Sequence, residues 1–360
     1  MKIAIDISQI VYGTGVSVYT QNLTKALLKI DKDNDYLFFG GSFRRYDELK
    51  LKAEQFIDGS TNAKSLILPI APSFSDIIFN RVGFVNIDSL IGKNDVFHSS
   101  DWVQPKTDSF TVTTIHDVVP LLYPSLTHPR ITAVHRRRME RVKKYVMKII
   151  VPSETTRNDL LKFGFNEKNI IVIPEAVGEE FKKPKKSDIQ KILKKYRIND
   201  RYLLAVGTSP RKNIDRIISA FERVRVDKTL KLVVIGEVHH PVSVRNVVFL
   251  GHVPASNVPA LYSGSDALIY PSLYEGFGLP VLEAYKLGVP VLTSNVGSLK
   301  EIGAASITVD PFSIDDISEG IKKLISDRGR YIAKGKEEIK KYTWEETAKK
   351  TLGVYNCCYE

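Results

Sequence analysis

The sequence predicts an α/β protein of two domains, each built from a parallel β-sheet covered by helices. The chain has 360 residues, which exceeds one ordinary α/β unit and suits two units of about 100 to 200 residues each. Short apolar segments of strand length alternate with helical patterns through the first half, as in parallel sheets. The alternation restarts after a basic, proline-containing segment at 179–187, which we interpret as the linker.

Each predicted strand is a short apolar run bounded by turn residues or by a helical pattern. The predicted strands are 2–7, 36–39, 65–68, 95–98, 111–115, 148–152 and 170–173, then 203–206, 231–235, 247–249, 267–270, 289–293 and 306–309. A helix over 16–29 follows the first strand, and a last helix over 342–355 begins with Thr343 as its N-cap. The predicted domains are 1–178 and 179–341, followed by the helical segment 342–360.

The composition is that of an ordinary globular protein with a basic surface. Hydrophobic residues make up 43% and charged residues 26% of the chain, enough apolar mass for two cores. The net charge of +11 attracts anions, but it does not distinguish nucleotides, nucleic acid and acidic lipids. A lysine-rich stretch at 182–197 predicts a solvated helix face. An arginine-rich helical pattern at 135–144 predicts either a solvated face or a contact with an anionic membrane or acidic acceptor.

The cysteines and the N-terminal residues give expectations about the cellular compartment of the protein. Cys357 and Cys358 are adjacent, so they cannot build a disulfide framework, and they lack the spacing of a zinc site. The chain begins as a strand in which Asp6 interrupts the apolar core that a secretory segment needs. No run of about 20 apolar residues occurs, so we expect no membrane span. We therefore expect a cytoplasmic protein, placed at the inner face of the membrane if the arginine-rich helix contacts lipid.

Two glutamates bracket a glycine-rich turn between a predicted strand and a predicted helix. Glu275 lies on the loop, and Glu283 lies one turn inside the helix that begins near Pro280 and stops at Gly288. In an open parallel sheet, ligands bind at the carboxyl ends of the strands, so this loop would face a ligand. Ionised carboxylates only accept hydrogen bonds, which suits the hydroxyls of a sugar.

A basic pair follows another predicted strand of the same half. Arg211 and Lys212 come after the strand 203–206 and a turn, and they lead into a helical pattern over 214–221. A helix N-terminus with two cations is a reasonable anion site. The second half of the chain thus offers acceptors for hydroxyls and donors for phosphate, which is what a nucleotide-sugar requires.

These residues resemble the retaining glycosyltransferases of family 4, over nearly the whole chain. The resemblance rests on the two glutamates eight positions apart, Glu275 and Glu283, on the run 206–213, and on the run 294–302 followed by 309–311. It implies the GT-B fold, in which two Rossmann-like, doubly wound domains face a central cleft and the C-terminal helix crosses back to the N-terminal domain. By the same resemblance, the C-terminal domain binds the nucleotide-sugar donor and the N-terminal domain binds the acceptor.

The resemblance also assigns roles to residues. His116 would face the donor sugar, Lys212 would bind the diphosphate and Glu275 would hold sugar hydroxyls, and we predict these three as catalytic. Glu283 would grip the ribose, while Gly236 and Val253 would border the nucleobase. The predicted donor-binding residues are Gly15, Arg211, Lys212, Gly236, Val253, Glu275, Phe277, Gly278, Leu279 and Glu283.

Some positions keep two interpretations. Gly13 and Gly15 would bring backbone N–H groups near a phosphate or the acceptor, or would form an ordinary strand-to-helix turn. His98 is interpreted as structural or as an acceptor-side residue. Thr208 stands where many members of the family have a further arginine, so this chain lacks one of the cations that bind the donor phosphates in those members. A subgroup with this pattern often uses mannose-type donors.

Other classes fit less well. Val18 replaces the third glycine of a dinucleotide fingerprint, which argues against a nicotinamide enzyme, and no P-loop motif occurs. We predict a retaining, metal-independent hexosyltransferase that uses no cofactor. The transferred hexose is either of mannose type or another hexose, and the acceptor is a glycan, a lipid-linked compound or a small molecule. The alternatives are a non-catalytic nucleotide-sugar or glycan-binding module and another GT-B enzyme, such as a phosphorylase or a nucleotide-sugar epimerase. A nucleic-acid binder rests on charge alone, without an aromatic-interleaved basic motif, and we expect no nucleic-acid partner.

Overall fold

The structure is a computed structural model, and it describes residues 1–99, 101–224, 229–237 and 244–359. The chain forms two compact units, one of Met1–Glu175 with Thr343–Glu360 and one of Ala176–Tyr342. The sequence placed the boundaries at 178/179 and 341/342. The first boundary lies earlier because Val177 packs into the core of the second unit, where Lys286 Nζ also donates to the carbonyls of Val177 and Gly178, at 3.2 and 2.7 Å.

The first unit contains a seven-stranded parallel sheet with the order β3-β2-β1-β4-β5-β6-β7. Its strands are β1 (Lys2–Asp6), β2 (Asp35–Gly41), β3 (Ala63–Leu68), β4 (Val96–Ser99), β5 (Phe110–Thr114), β6 (Lys148–Val151) and β7 (Ile170–Val172). Its helices are α1 (Gly15–Ile30), α2 (Tyr46–Ile57), α3 (Pro72–Ser75), α4 (Asp88–Ile91), α5 (Val119–Leu122), α6 (Pro129–Tyr145) and α7 (Glu154–Lys162), and a π-helical turn, Asp76–Val82, follows α3.

The second unit contains a six-stranded parallel sheet with the order β10-β9-β8-β11-β12-β13. Its strands are β8 (Tyr202–Val206), β9 (Lys231–Ile235), β10 (Val247–Phe249), β11 (Ala267–Tyr270), β12 (Val291–Ser294) and β13 (Ile307–Val309). Its helices are α8 (Lys186–Lys195), α9 (Ile214–Val224), α10 (Val258–Gly264), α11 (Leu279–Leu287), α12 (Gly297–Ile302), α13 (Ile314–Ser326) and α14 (Arg328–Glu338).

The strand order explains where a ligand can bind in each unit. The chain winds outward in both directions from the middle of each sheet, so the order switches between β1 and β4 and between β8 and β11. Ligands of doubly wound sheets bind at the carboxyl ends of the strands next to such a switch. In the first unit the loops after β1, β4 and β5 occupy this edge, and in the second unit the loops after β8 and β11 occupy it.

The last helix, α15 (Trp344–Asn356), belongs to the first unit although it follows the second in sequence. The Thr343 side chain caps its first turn by accepting from the Glu346 N–H at 3.2 Å. Thr347 donates to the Pro174 carbonyl at 2.9 Å, and the buried Tyr355 packs into the core of the first unit. The helix is therefore an integral part of that unit's hydrophobic core.

The arginine-rich pattern at 135–144 lies on α6, and it is not one uniform solvated face. Arg138 is buried and donates to Thr113 Oγ1 at 2.8 Å and to the Thr114 carbonyl at 3.3 Å. Arg136 and Lys143 are exposed. No helix in the described ranges has the length and apolarity that crossing a bilayer requires.

Candidate active site

The centre of the candidate site in the second unit is the buried carboxylate of Glu275, on the loop between β11 and α11. Arg211 Nη1 lies 2.5 Å from Glu275 Oε2, and Lys212 Nζ lies 2.6 Å from Oε1. Both cations come from the turn after β8, the neighbouring strand in the sheet. The structure therefore brings three of the predicted site residues into direct contact.

Two hydroxyls complete the surroundings of this carboxylate. Tyr270 and Ser272 donate to Glu275 Oε1 at 2.8 and 2.6 Å. Burial would raise the pKa of Glu275, but the charges of Lys212 and Arg211 outweigh burial and lower the pKa to about 2. Glu275 is therefore ionised at neutral pH.

The hydrogen bonds that Glu275 already accepts limit how many further donors it can bind. A carboxylate has about four lone-pair sites, and four side chains of this unit already donate to it. These contacts hold Arg211 and Lys212 in place, and Oε2 accepts from Arg211 alone among the four donors. The role of Glu275 toward sugar hydroxyls stays a prediction.

The Lys212 side chain is fixed by close packing as well as by charge. Its Nζ contacts the Tyr270 hydroxyl and lies 4.7 Å from the centre of the Tyr270 ring. Gly207 has φ of +86°, and a Cβ there would lie 2.9 Å from Lys212 Cγ. Only glycine therefore lets the lysine stem lie against the backbone at the end of β8.

Asn213 joins the three sequence motifs of the second unit. Its backbone has φ of +64°, and its Nδ2 donates to the carbonyls of Pro271 and Pro311, at 3.0 and 2.6 Å. The three residues come from the runs after β8, β11 and β13. One buried amide thus fixes the relative positions of the loops that carry the cations and the carboxylate.

Glu283 has surroundings opposite to those of Glu275. It lies on α11, and Tyr262 donates to its Oε2 at 2.9 Å. Burial raises the pKa of Glu283 to about 7, and the charge of Glu180 adds to the rise while that of Lys212 opposes it. Near neutral pH this carboxyl is divided between its protonated and ionised forms.

The start of α11 depends on a glycine. Gly278 has φ of +112°, and a Cβ there would lie 2.6 Å from Leu299 Cδ2 and 2.8 Å from Ile302 Cδ1. Leu279 is the first residue of the helix, and Phe277 is buried in the core of the unit. The backbone of the predicted donor-binding segment is therefore held against α12.

Two predicted nucleobase residues lie at the ends of β9 and β10. Gly236 N–H donates to the Gly251 carbonyl at 3.0 Å, and Gly236 packs against Thr208. Val253 is a buried member of the core, so only its backbone could reach a ligand. The residues 238–243 that follow Gly236 lie outside the described residues.

His116 forms a second candidate cluster, in the first unit after β5. Its Nδ1 lies 2.7 Å from Glu175 Oε1, and the Tyr19 ring meets it edge to face at 4.6 Å. Burial would lower the pKa of His116, but the charge of Glu175 outweighs burial and raises it. The carboxylate fixes the proton on Nδ1, which leaves Nε2 to contact a ligand.

His98 differs from His116 in its hydrogen-bond partners and in the direction in which its pKa is shifted. It lies 2.7 Å from the Tyr355 hydroxyl and 2.9 Å from Thr114 Oγ1. Burial lowers the pKa of His98 to about 3, so the ring is neutral. Its hydrogen bonds tie α15 to the sheet, which supports the structural interpretation.

Gly15 begins α1, next to the loop that follows β1. Thr14 caps the helix, because its Oγ1 accepts from the Ser17 N–H at 3.3 Å and Ser17 Oγ accepts from the Thr14 N–H at 3.2 Å. Gly13 has φ of +68°, and a Cβ at Gly13 or at Gly15 would have no neighbour within 4 Å. The turn thus requires glycine at position 13, and the lack of a side chain at position 15 leaves room for a ligand.

Four supporting residues were not among the predicted site residues. Tyr270 ends the predicted strand 267–270 and Ser272 follows it, and their closeness to Glu275 in sequence was a usable signal. Glu175 and Tyr262 gave no signal, because each meets its partner only in the folded chain.

Two family models match the chain one after the other. The model described as Glycosyltransferase Family 4 matches residues 13–181, and the model described as Glycosyl transferases group 1 matches residues 188–345. The O-antigen chain mannosyltransferase B of Escherichia coli is 29% identical over 285 residues, which are 73% of this chain and 74% of that protein.

Two further proteins show the range of the similarity. The serotype-specific mannosyltransferase WbdA of Escherichia coli is 28% identical over 66% of this chain, a match that spans only 32% of WbdA. The structure of HepE from Anabaena in complex with UDP and glucose superposes with a TM-score of 0.69 at 14% identity, covering 99% of this chain and all of that one. At this identity the structural match establishes the shared fold.

Proposed function

The chain belongs to the group 1 glycosyltransferases of family 4, and we propose that it transfers a hexose from a nucleotide-diphosphate sugar to a hydroxyl of a glycan acceptor. The observation that carries this proposal is the contact of Arg211 and Lys212 with the ionised Glu275. Two cations against one carboxylate leave a net positive charge at the carboxyl edge of the sheet, where a diphosphate can bind.

The same cluster supplies the chemistry of bond cleavage. Negative charge develops on the diphosphate as its bond to the anomeric carbon breaks, and fixed cations stabilise that charge. Lys212 is held by Glu275 and Tyr270 before any donor arrives, so little reorganisation is needed. Glu283, once ionised, accepts from the ribose hydroxyls.

We favour a donor whose sugar is of mannose type. Two of the relatives, O-antigen chain mannosyltransferase B and WbdA, are named as mannosyltransferases, and Thr208 agrees with the subgroup described from the sequence. We further propose retention of the anomeric configuration and no metal requirement. Arg211 and Lys212 can take the charge-neutralising role that a metal ion would otherwise play.

Donor binding is tested by thermal unfolding with GDP-mannose, UDP-glucose, ADP-glucose and dTDP-glucose. A donor at about 100 times its dissociation constant should add about 2.7 kcal/mol of apparent stability. Transfer to a mannoside, with the product's anomeric configuration read by proton NMR in the presence of EDTA, then tests retention and metal independence. If no donor stabilises the protein, the proposal fails; stabilisation without turnover favours a binding module, and an epimerised free donor favours an epimerase.

Replacing Gly207 by Ala should lower donor turnover roughly 100-fold, because the new Cβ displaces the Lys212 stem and a misplacement of about 1 Å has that cost. The matched control is Gly164→Ala, since Gly164 has φ of +79° but no neighbour within 4 Å of its Cβ position. Both variants should lose about 1 kcal/mol of stability from the positive φ. Equal turnover in the two variants would contradict the role given to Gly207.

A further inference from the structure

The helical segment after β3 buries two polar side chains while it exposes several large apolar ones. It consists of α3, the π-helical turn Asp76–Val82 and the two residues that follow. Its polar side chains Asp76 and Asn80 are 3% and 6% exposed. Phe79 is buried in a core cluster of the unit, but four other apolar side chains point outward, and we call them the apolar patch: Phe74, Ile77, Val82 and Phe84, which are 53%, 42%, 50% and 88% exposed.

The inward polar side chains hold this orientation firmly. Asp76 accepts from Arg137 Nη2 at 2.7 Å, from Asn80 Nδ2 at 3.0 Å and from Arg81 Nε at 3.1 Å. Asn80 Oδ1 accepts from the Gln104 N–H at 3.0 Å. Turning the segment over to bury Phe74 and Ile77 would expose the buried Phe79 and separate the buried Asp76 carboxylate from Arg137, which is strongly unfavourable. The exposure of the apolar patch is thus built into the fold.

A cation lies directly beside the apolar patch, and further cations lie near it. Gly83 has φ of +69°, and a Cβ there would lie 2.2 Å from Arg141 Nη1, so the guanidinium passes directly beside the patch. Arg141 lies 4.8 Å from the centre of the Tyr145 ring, and Lys144 lies 5.2 Å from it. The hydrogen bond from Lys144 and the charges of Lys144, Arg141 and Lys106 lower the pKa of the Tyr145 hydroxyl. Exposed phenylalanine and isoleucine beside this many cations are unusual for a surface that meets only water.

We propose that the apolar patch and the cations beside it dock on an anionic lipid bilayer. Phenylalanine and aliphatic side chains enter the boundary between headgroups and acyl chains, while arginine and lysine contact the headgroup phosphates. The net charge of +11 gives the attraction at longer range. A second copy of the chain fits less well, because pairing this surface with itself brings Arg81 and Arg141 against their own counterparts.

The docking surface is independent of donor chemistry and places the enzyme where a lipid-linked glycan would be presented. The arginine-rich pattern on α6 is only half of it. Arg137 and Arg81 both pair with Asp76, so the cations that we assign to headgroups are Lys106, Arg141 and Lys144. The apolar half comes from a different segment, which the sequence analysis had not connected with membranes.

The test is co-sedimentation of the full chain with vesicles of phosphatidylcholine alone or with about 30% phosphatidylglycerol, without donor or acceptor. We expect binding to the anionic vesicles that weakens as salt is raised. Phe74→Ser with Phe84→Ser should lower the partition coefficient at least about tenfold. The control is Leu51→Ser with Phe312→Ser, whose side chains are 56% and 61% exposed elsewhere on the chain, and it should bind like the parent.

The charge arm uses Lys106→Gln with Lys144→Gln, which should lower binding roughly tenfold and reduce its salt dependence. Thermal unfolding should be unchanged in all three double variants, since each replaces exposed side chains. The proposal is overturned if the parent does not bind anionic vesicles or if the Phe74 and Phe84 variant binds them as the parent does. It is also overturned if the parent forms a dimer in sedimentation velocity and that variant does not. None of these outcomes alters donor-induced stabilisation, so the proposed function is judged separately.

Discussion

Replacing Lys212 by Met should reduce donor turnover by roughly 10²- to 10³-fold, which is the usual cost of removing one group that stabilises developing negative charge. Lys212 Nζ lies 2.6 Å from Glu275 and rests on the Tyr270 ring, so it occupies one position before the donor binds. Methionine keeps the length and apolar character of the stem and removes only the charged end. The measurement is steady-state transfer under saturating acceptor.

The control for this variant is Lys231→Met. Lys231 belongs to the same unit, its side chain is 27% exposed, and it pairs with Asp200 at 2.6 Å, so it tests whether any half-buried paired lysine has the same effect. It should change turnover less than about twofold, because it lies at the start of β9, away from the carboxyl edge. A Lys212→Met enzyme with turnover within a factor of ten of the parent would remove Lys212 from the mechanism.

A second variant separates catalysis from folding. Without Lys212, Glu275 keeps Arg211 as its remaining cation, and the loss should cost about 2 to 3 kcal/mol of the free energy of unfolding at pH 7. Adding Glu275→Gln removes the carboxylate that Lys212 neutralised but leaves Arg211 without its ion partner, so the double variant should recover only part of that stability while turnover stays low. Recovery of both quantities together would mean that Lys212 only supports the fold.

The sheets could be predicted from the sequence because their strands are buried on both faces and therefore read as short apolar runs. The predicted strands 231–235, 247–249 and 267–270 coincide with β9, β10 and β11. The start and stop of α11 were also visible, since Pro280 falls in its first turn and Gly288 ends it with φ of +74°. These are local signals, set by residues next to one another in the chain.

The pairing of charges could not be predicted in the same way. Arg211 and Lys212 are separated from Glu275 by more than sixty positions, and their contact exists only because β8 and β11 are neighbours in the sheet. The segment Pro72–Ser75 and Asp76–Val82 shows the same limit. Its pattern alone would bury Phe74 and Ile77, whereas Arg137 on α6 draws Asp76 inward instead.

Replacing Glu283 by Gln should stabilise the protein at pH 8 while it weakens donor binding. The ordinary pKa of a glutamate is 4.5, and burial raises that of Glu283 to about 7. Because the folded state binds the proton more tightly than the unfolded chain, stability falls as pH rises through this interval. The interval corresponds to about 3 kcal/mol, which a neutral glutamine does not lose.

The pH dependence of the stability difference between Glu283→Gln and the parent follows from this raised pKa. Below pH 4.5 the carboxyl is protonated in both states, so Glu283→Gln should match the parent; its advantage should grow between pH 5 and pH 7 and level off near pH 8 at about 3 kcal/mol. Chemical unfolding at each pH measures it. Glu337→Gln is the control, since that side chain is 73% exposed, and it should stay within about 0.5 kcal/mol of the parent throughout.

Donor affinity should change in the opposite direction. The parent should bind its nucleoside diphosphate more tightly as pH rises through about 7, because the ionised Glu283 accepts hydrogen bonds from the ribose hydroxyls. Glu283→Gln should bind roughly tenfold more weakly at pH 8 and lose this pH dependence. A variant that gains stability but binds the nucleotide as the parent does would show that Glu283 is merely a buried acid. A variant that gains no stability at pH 8 would contradict the burial that raises its pKa.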